Sequence, residues 1–140
     1  MADHDSLAQT NEEFYRAFRE ADIAAMSKVW AESDDVACIH PGWPPLHGRE
    51  RVLSSWRAIL LEHTPPQVTC ARVQTFFVGD VALVTCVERV PEVQSELSAT
   101  NVFHRVNNEW RMVLHQAGPV RLPADLAPGL SDDDDAPTLN

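Results

Sequence analysis

One stretch decides the fold: Cys38-Ile39-His40-Pro41-Gly42-Trp43-Pro44-Pro45-Leu46-His47-Gly48-Arg49-Glu50. Its prolines fix φ and lack a backbone donor, and its glycines reach conformations that other residues avoid, so it predicts a rigid turn after a short strand. The turn would hold His40 and Trp43 in place at the strand end. Such loops often form the rim of a ligand site, although the same residues can equally close the end of a core.

Helices are predicted on both sides of this stretch. Ser6 and Gln9 have the spacing of a capping box, and the apolar stripe that follows predicts a helix over about residues 6–20. Asp22 is a fair N-cap for a short second helix. After Gly48, apolar residues spaced three and four apart predict a third helix that contains Trp56.

From Gln67 onward the pattern changes to the two-residue period of strands. Gly79-Asp80 is typical of a hairpin turn, and looser turns are predicted at 91–95 and 107–109. The β-branched and aromatic residues between these turns predict four successive strands, at 68–78, 81–90, 97–106 and 110–117.

The late strands are apolar on both faces. Leu83 and Val87 alternate with Val84 and Cys86, whereas a sheet with one solvated face would alternate apolar and polar residues. The second apolar face therefore predicts that another protein surface packs against it, most simply that of a second copy of the chain. We expect a homodimer through the sheet.

Length and charge restrict the function classes. The 140 residues make one domain of ordinary size, and no run approaches the roughly 18 apolar residues of a membrane span. The formal net charge is −10, and no Lys/Arg cluster stands out in the sequence. This argues against nucleic acid and anionic membrane surfaces as partners. We expect a cytoplasmic protein whose ligand is a small molecule or another protein.

The cysteines and the C-terminal segment carry no predicted chemistry. The three cysteines lack CxxC spacing, so we expect buried thiols, no metal and no cofactor. Beyond residue 120, prolines and the run Asp132–Asp135 predict a loosely packed acidic tail. The domain would then span 1–120 and the tail 121–140.

Several motifs follow one another in a specific order: Phe14-Tyr15-Arg16-Ala17-Phe18 with Asp22 and Trp30, His40-Pro41-Gly42-Trp43, Leu46-His47-Gly48-Arg49-Glu50, Trp56 and Trp110–Pro119. With the order of elements, they resemble the NTF2-like superfamily, in its SnoaL-like/DUF4440-type branch. The resemblance implies an α+β cone in which three N-terminal helices pack in a strongly curved antiparallel sheet, with a pocket at the wide end. Members include isomerases, cyclases, dehydratases and non-catalytic association domains, so the fold does not decide the chemistry.

Carried onto this sequence, the resemblance places the general base of the steroid isomerases on His40. Their oxyanion-binding tyrosine falls nearest Phe14, which cannot donate a hydrogen bond, while Tyr15 points about 100° round the helix. This departure argues against a standard steroid isomerase. A histidine with a pKa near 6.5 can still act as an acid or a base, unless strand-end hydrogen bonds simply hold it.

Three polar residues of the predicted strands are further candidates. Glu88 shares a face with apolar neighbours, so its carboxyl would have a raised pKa or pair with Arg or His, inside the cone or at the dimer face. Thr100 and His115 lie on the next two strands. His104 and His115 can meet there, but no third ligand is set by spacing, so no metal site is predicted.

These observations predict binding of a small, largely apolar organic molecule, with His40-assisted proton transfer. A reaction at such a site would be that of a cofactor-independent isomerase, cyclase or dehydratase. The alternative is a non-catalytic dimeric association or protein-binding module. A cavity that reaches His40 favours the first, and a cone filled by its own aromatic rings favours the second. The candidate catalytic residues are His40 and Glu88, and the candidate ligand-binding residues are Phe14, Tyr15, Phe18, Trp43, Trp56, Thr100 and His115.

Overall fold

Three α-helices and six strands make up the described part of the chain. The computed structural model describes residues 2–62, 64–93 and 95–120, so the predicted acidic tail lies outside the described residues. The elements are α1 (Ala2–Glu20), α2 (Ile23–Val29), β1 (Ala37–Ile39), β2 (Leu46–His47), α3 (Arg49–Glu62), β3 (Thr69–Val78), β4 (Val81–Val90), β5 (Ser95–Val106) and β6 (Glu109–Pro119).

The helices begin close to the predicted signals. The carboxylate of Asp22 accepts a hydrogen bond from the backbone N–H of Ala25 at 3.0 Å, which confirms the predicted N-cap of α2. Helix α1 starts earlier than predicted. Asp3 and Asp5 lie in its first turn, where their negative charges interact favourably with the positive end of the helix dipole. Over the described residues, no helix is long and apolar enough to cross a bilayer.

Arg49 connects α3 to the end of α2. Its guanidinium donates to the backbone carbonyls of Trp30, Ala31 and Ser27 at 3.0, 2.8 and 3.0 Å. These carbonyls follow or end a short helix, where helical partners run out. The side chain therefore supplies hydrogen-bond donors to carbonyls at and just after the end of α2.

We predict that Arg49→Gln lowers the free energy of unfolding by about 2 kcal/mol, because partly buried carbonyls lose a charged donor. Urea denaturation of the purified variant measures this loss. Arg51→Gln is the matched control, since Arg51 is exposed and forms no hydrogen bond within the described residues. Equal losses in the two variants would contradict the assigned role of Arg49.

The six strands form one sheet in the order β2-β1-β6-β5-β4-β3. Strands β3 to β6 form the predicted antiparallel meander, but β1 pairs with β6 in parallel, with Cys38 opposite His115. The description of the cone therefore needs correction in two details. The sheet is mixed rather than antiparallel throughout, and the three helices are not all N-terminal to it, because β1 and β2 lie between α2 and α3, as the local signals predicted. No hairpin joins β1 to β6, so neither turn geometry nor chain connection forces them to be antiparallel.

The helices pack on one face of the sheet, which we call the inner face. Strand β6 carries a bulge, because Asn101 pairs with His115 while Phe103 pairs with Met112. The extra residue lets Met112 and His115 both face inward although three positions separate them. The largest fully buried side chains of this core are those of Trp30, Trp56, Tyr15, Phe14 and Phe103.

The opposite, outer face of the sheet remains partly apolar. Leu83 and Val87 of β4 are half-buried on this face. Val73, Phe76 and Val78 of the edge strand β3 are exposed. The predicted homodimer through this face stays a prediction.

Candidate functional site

His40 lies at the end of β1, buried beneath the Pro/Gly turn. Its Nε2 atom is 2.9 Å from the Ser55 hydroxyl oxygen, which itself donates to the Val52 carbonyl at 2.7 Å. The tautomer that satisfies both contacts has the His40 N–H donating to Ser55. The rings of Trp43 and Trp56 each pack at 4.8 Å between centroids against the imidazole. Burial lowers the pKa of His40 to about 4, so the ring is neutral at pH 7.

A groove of about 790 Å³ runs along the N-terminal part of α3 and faces the Pro/Gly turn. We call it the α3 groove. Trp43 and Ser55 both line it and both contact His40, so the imidazole lies directly behind its wall. The lining residues are Asp34, Trp43, Leu46, Arg49, Glu50, Arg51, Leu53, Ser54, Ser55, Arg57 and Ala58.

A second group of polar side chains lies inside the cone, and we call it the interior cluster: Asn11, Tyr15, Glu88, Asn101 and His115. All five residues are buried. The Tyr15 hydroxyl donates to Glu88 Oε2 at 2.7 Å, and Asn101 Nδ2 donates to the Tyr15 oxygen at 3.1 Å and to Asn11 Oδ1 at 2.9 Å. His115 Nδ1 lies 2.6 Å from Asn101 Oδ1. The cluster joins α1 to strands β4, β5 and β6.

The hydrogen bonds of the interior cluster fix its protons. Asn101 Oδ1 can only accept, so His115 donates from Nδ1 and turns its Nε2 atom toward Glu88 Oε2, 3.8 Å away. Burial raises the pKa of Glu88 to about 7, and burial together with the charge of His40 lowers the pKa of His115 to about 3. The Glu88 carboxyl can therefore give or take a proton near neutral pH.

Aromatic rings occupy the interior between His40 and the interior cluster. The Trp56 ring packs against Phe14, Phe18 and His115, with centroid distances of 5.4, 4.9 and 5.8 Å. Phe14, Tyr15 and Trp56 are fully buried, whereas Trp43 is 43% exposed in the turn. The predicted pocket lining thus divides into packed interior rings and one accessible ring at the α3 groove. By the criterion stated above, the packed interior favours the association module, and within the part of the chain that the structure describes only the α3 groove offers space for a ligand near His40.

Thr100 lies apart from these residues. It pairs with Thr85 and alternates with the buried Ala99 and Asn101, which places it on the outer face. His104 is also exposed on that face and does not meet His115. Within residues 2–62, 64–93 and 95–120, no three His, Cys, Asp or Glu side chains form a group that could hold a metal ion.

Three polar members of these sites escaped the sequence reasoning: Asn11, Ser55 and Asn101. Asn101 left a readable signal, because it occupies an inward position between Ala99 and Phe103, where an apolar residue is expected. Asn11 and Ser55 left none, since polar residues on helices are usually solvated.

We predict that Tyr15→Phe costs about 1–2 kcal/mol of stability, because Glu88 and Asn101 each lose a buried partner. A double-mutant cycle with Glu88→Gln, measured by chemical denaturation, isolates the contribution of the hydroxyl–carboxyl contact. Strict additivity of the two substitutions would show that this contact carries no coupling energy.

Comparison with known proteins identifies the family. The model of the SnoaL-like domain matches residues 7–120. A candidate dehydratase of the NTF2-like family from Streptomyces avermitilis is 32% identical, with a TM-score of 0.79, covering 85% of this chain and 97% of its own. A candidate calcium/calmodulin-dependent protein kinase type II association domain from Thiobacillus denitrificans is 33% identical, with a TM-score of 0.73, covering 80% and 93%.

A curated relative is longer than this chain. F-box protein SKIP8 of Arabidopsis thaliana is 29% identical over 112 residues, which are 80% of this chain and 48% of that protein. The chain therefore spans about half the length of this relative. Since the family model covers most of the sequence and the fold agrees, the protein belongs to the SnoaL-like domain family of the NTF2-like superfamily.

Proposed function

We propose that the chain binds a small, largely apolar organic molecule in the α3 groove and that His40 assists a proton transfer on it, as in isomerases or dehydratases. The observation that carries this proposal is a neutral imidazole held 2.9 Å from Ser55, directly behind the groove wall. The apolar body of the ligand would contact Trp43, Leu46 and Leu53.

The Ser55 hydroxyl is the link between the ligand and the imidazole. In the tautomer protonated at Nδ1, Ser55 donates to His40 Nε2 instead of to the Val52 carbonyl. The Ser55 oxygen can then accept a proton from a ligand in the groove while its own proton passes to Nε2, which leaves an imidazolium. Glu88 lies deeper in the interior than His40. The Trp56 ring contacts both His40 and His115, and His115 in turn faces Glu88. We assign Glu88 a supporting role as the proton-exchanging group of the interior. The similarity to a candidate dehydratase agrees with this chemistry.

Hydrogen exchange on a simple ketone tests the proposal. Tetralone carries an apolar ring and acidic protons beside its carbonyl, and NMR in deuterium oxide follows their exchange. We expect the protein to accelerate exchange and His40→Gln to reduce this acceleration at least about 100-fold, the lower range for general acid–base catalysis. His104→Gln, a surface histidine on the outer face, should leave the acceleration unchanged.

Two outcomes would contradict the proposal. Binding of tetralone in a calorimetric titration without accelerated exchange would reduce the site to a non-catalytic binding site. An acceleration that survives His40→Gln would move the chemistry elsewhere.

A second candidate function is association between copies of the chain. The partly apolar outer face favours it, as does the similarity to a candidate association domain. Light scattering coupled to gel filtration should give twice the chain mass of 15.6 kDa. We expect Val87→Lys to give the monomer mass. The control Gln9→Lys, at an exposed position of α1 away from the outer face, should stay dimeric. A monomeric wild-type protein would refute this candidate.

A further inference from the structure

The arginines of this chain are unequally paired. Acidic residues outnumber basic ones 21 to 11, so a surface arginine usually finds a carboxylate. Five of the described arginines do so within 4 Å: Arg16, Arg19, Arg89, Arg105 and Arg111. Arg51 and Arg57 are exposed and form no ion pair within the described residues, yet both line the α3 groove.

The remaining charges of the α3 groove do not neutralise this pair. Asp34 and Glu50 also line it, but neither lies within ion-pair distance of Arg51 or Arg57. Arg49 adds a third positive charge, although its donors are bound to backbone carbonyls. The groove thus has three arginines against two carboxylates, in a chain whose net charge is −10.

We propose that the ligand of the α3 groove is an organic anion, with an apolar body and a carboxylate or phosphate group that Arg51 and Arg57 bind. This inference rests on the proposed function of the same groove and names its ligand class. A guanidinium presents paired N–H donors that match the oxygens of both anions, and Trp43 and Leu53 offer apolar surface beside it. The anionic end would be held on α3 while the body of the ligand reaches Ser55.

Three naphthalene probes of nearly equal size separate charge from apolar contact: naphthaleneacetic acid, naphthyl phosphate and the uncharged naphthaleneacetamide. Calorimetric titration of the full chain should show at least one anion binding about tenfold more tightly than the amide, as expected for a charge-assisted contact near the surface. The anion that binds more tightly identifies the headgroup. Raising salt from about 50 to about 500 mM should weaken the anion and spare the amide.

Substitutions locate the contact. The double variant Arg51→Gln/Arg57→Gln should remove the preference, so that anion and amide bind with equal affinity. The single variant Arg72→Gln is the matched control, because Arg72 lies on β3, outside the groove lining, and also lacks an ion pair in the described part of the chain. It should keep the full preference.

Each contrary result has a distinct meaning. Equal binding of anion and amide would overturn the anionic ligand class and leave the proposed function intact. A preference that persists in the double variant would overturn the assignment to Arg51 and Arg57. Absence of binding by all three probes would overturn both this inference and the proposed function.

Discussion

Trp56→Ala is expected to lower the free energy of unfolding by about 3–5 kcal/mol. The side chain is 1% exposed and packs against Phe14, Phe18, His40 and His115, so its removal leaves a cavity that these rings cannot all close. Urea denaturation measures this loss of stability as a lower urea concentration at the unfolding midpoint, with an unchanged dependence of the free energy on urea concentration.

Trp43→Ala is the matched control for this substitution. Both tryptophans pack at 4.8 Å from the His40 ring, but Trp43 is 43% exposed and should cost less than about 1 kcal/mol. Similar losses in the two variants would show that contact with His40, rather than interior packing, determines the cost.

Glu88→Gln is expected to change how stability depends on pH. The pKa of Glu88 is raised from 4.5 to about 7 in the folded chain, so the folded state binds the proton more tightly than the unfolded state. Its contribution to stability is therefore complete below about pH 4.5 and is lost as pH rises through 7. The wild-type protein should lose about 3 kcal/mol of stability from this group as pH rises, and Glu88→Gln should show no such loss.

The histidines act in the opposite direction. The pKa values of His40 and His115 are lowered to about 4 and about 3, so both rings destabilise the fold as pH falls below 6.5. Subtracting the variant's curve from the wild-type curve removes this shared contribution. Glu62→Gln, a substitution at an exposed position, is the control, and its curve of stability against pH should follow that of the wild type. A flat difference curve for Glu88→Gln would mean that this carboxyl titrates as it does in the unfolded chain.

Local signals in the sequence predicted most of the elements. The N-cap at Asp22 and the turn at Gly79-Asp80 act over a few residues, and the structure confirms both. The parallel pairing of β1 with β6 could not be predicted from the sequence. It depends on which strand the folded chain brings beside β1, and that strand is distant in the sequence. The β6 bulge was also hidden, since simple alternation would put Met112 and His115 on opposite faces.

The candidate site was predicted unevenly for the same reason. His40 and Trp43 were readable because one rigid turn carries both. The interior cluster draws its members from α1, β4, β5 and β6, so only the folded chain brings them together. Arg51 and Arg57 gave no signal, because two arginines separated by five uncharged residues form no basic run and barely change a net charge of −10.

The parallel contact between β1 and β6 also bears on the order in which the chain folds. The hairpins from β3 to β6 join neighbouring segments, whereas β1 ends at Ile39 and β6 begins only at Glu109, after β2, α3 and three more strands. Closing that long loop costs more chain entropy, so we expect the meander to form before β1 docks. His40 follows β1 directly, and the catalytic candidate would then reach its place only in the last step of folding.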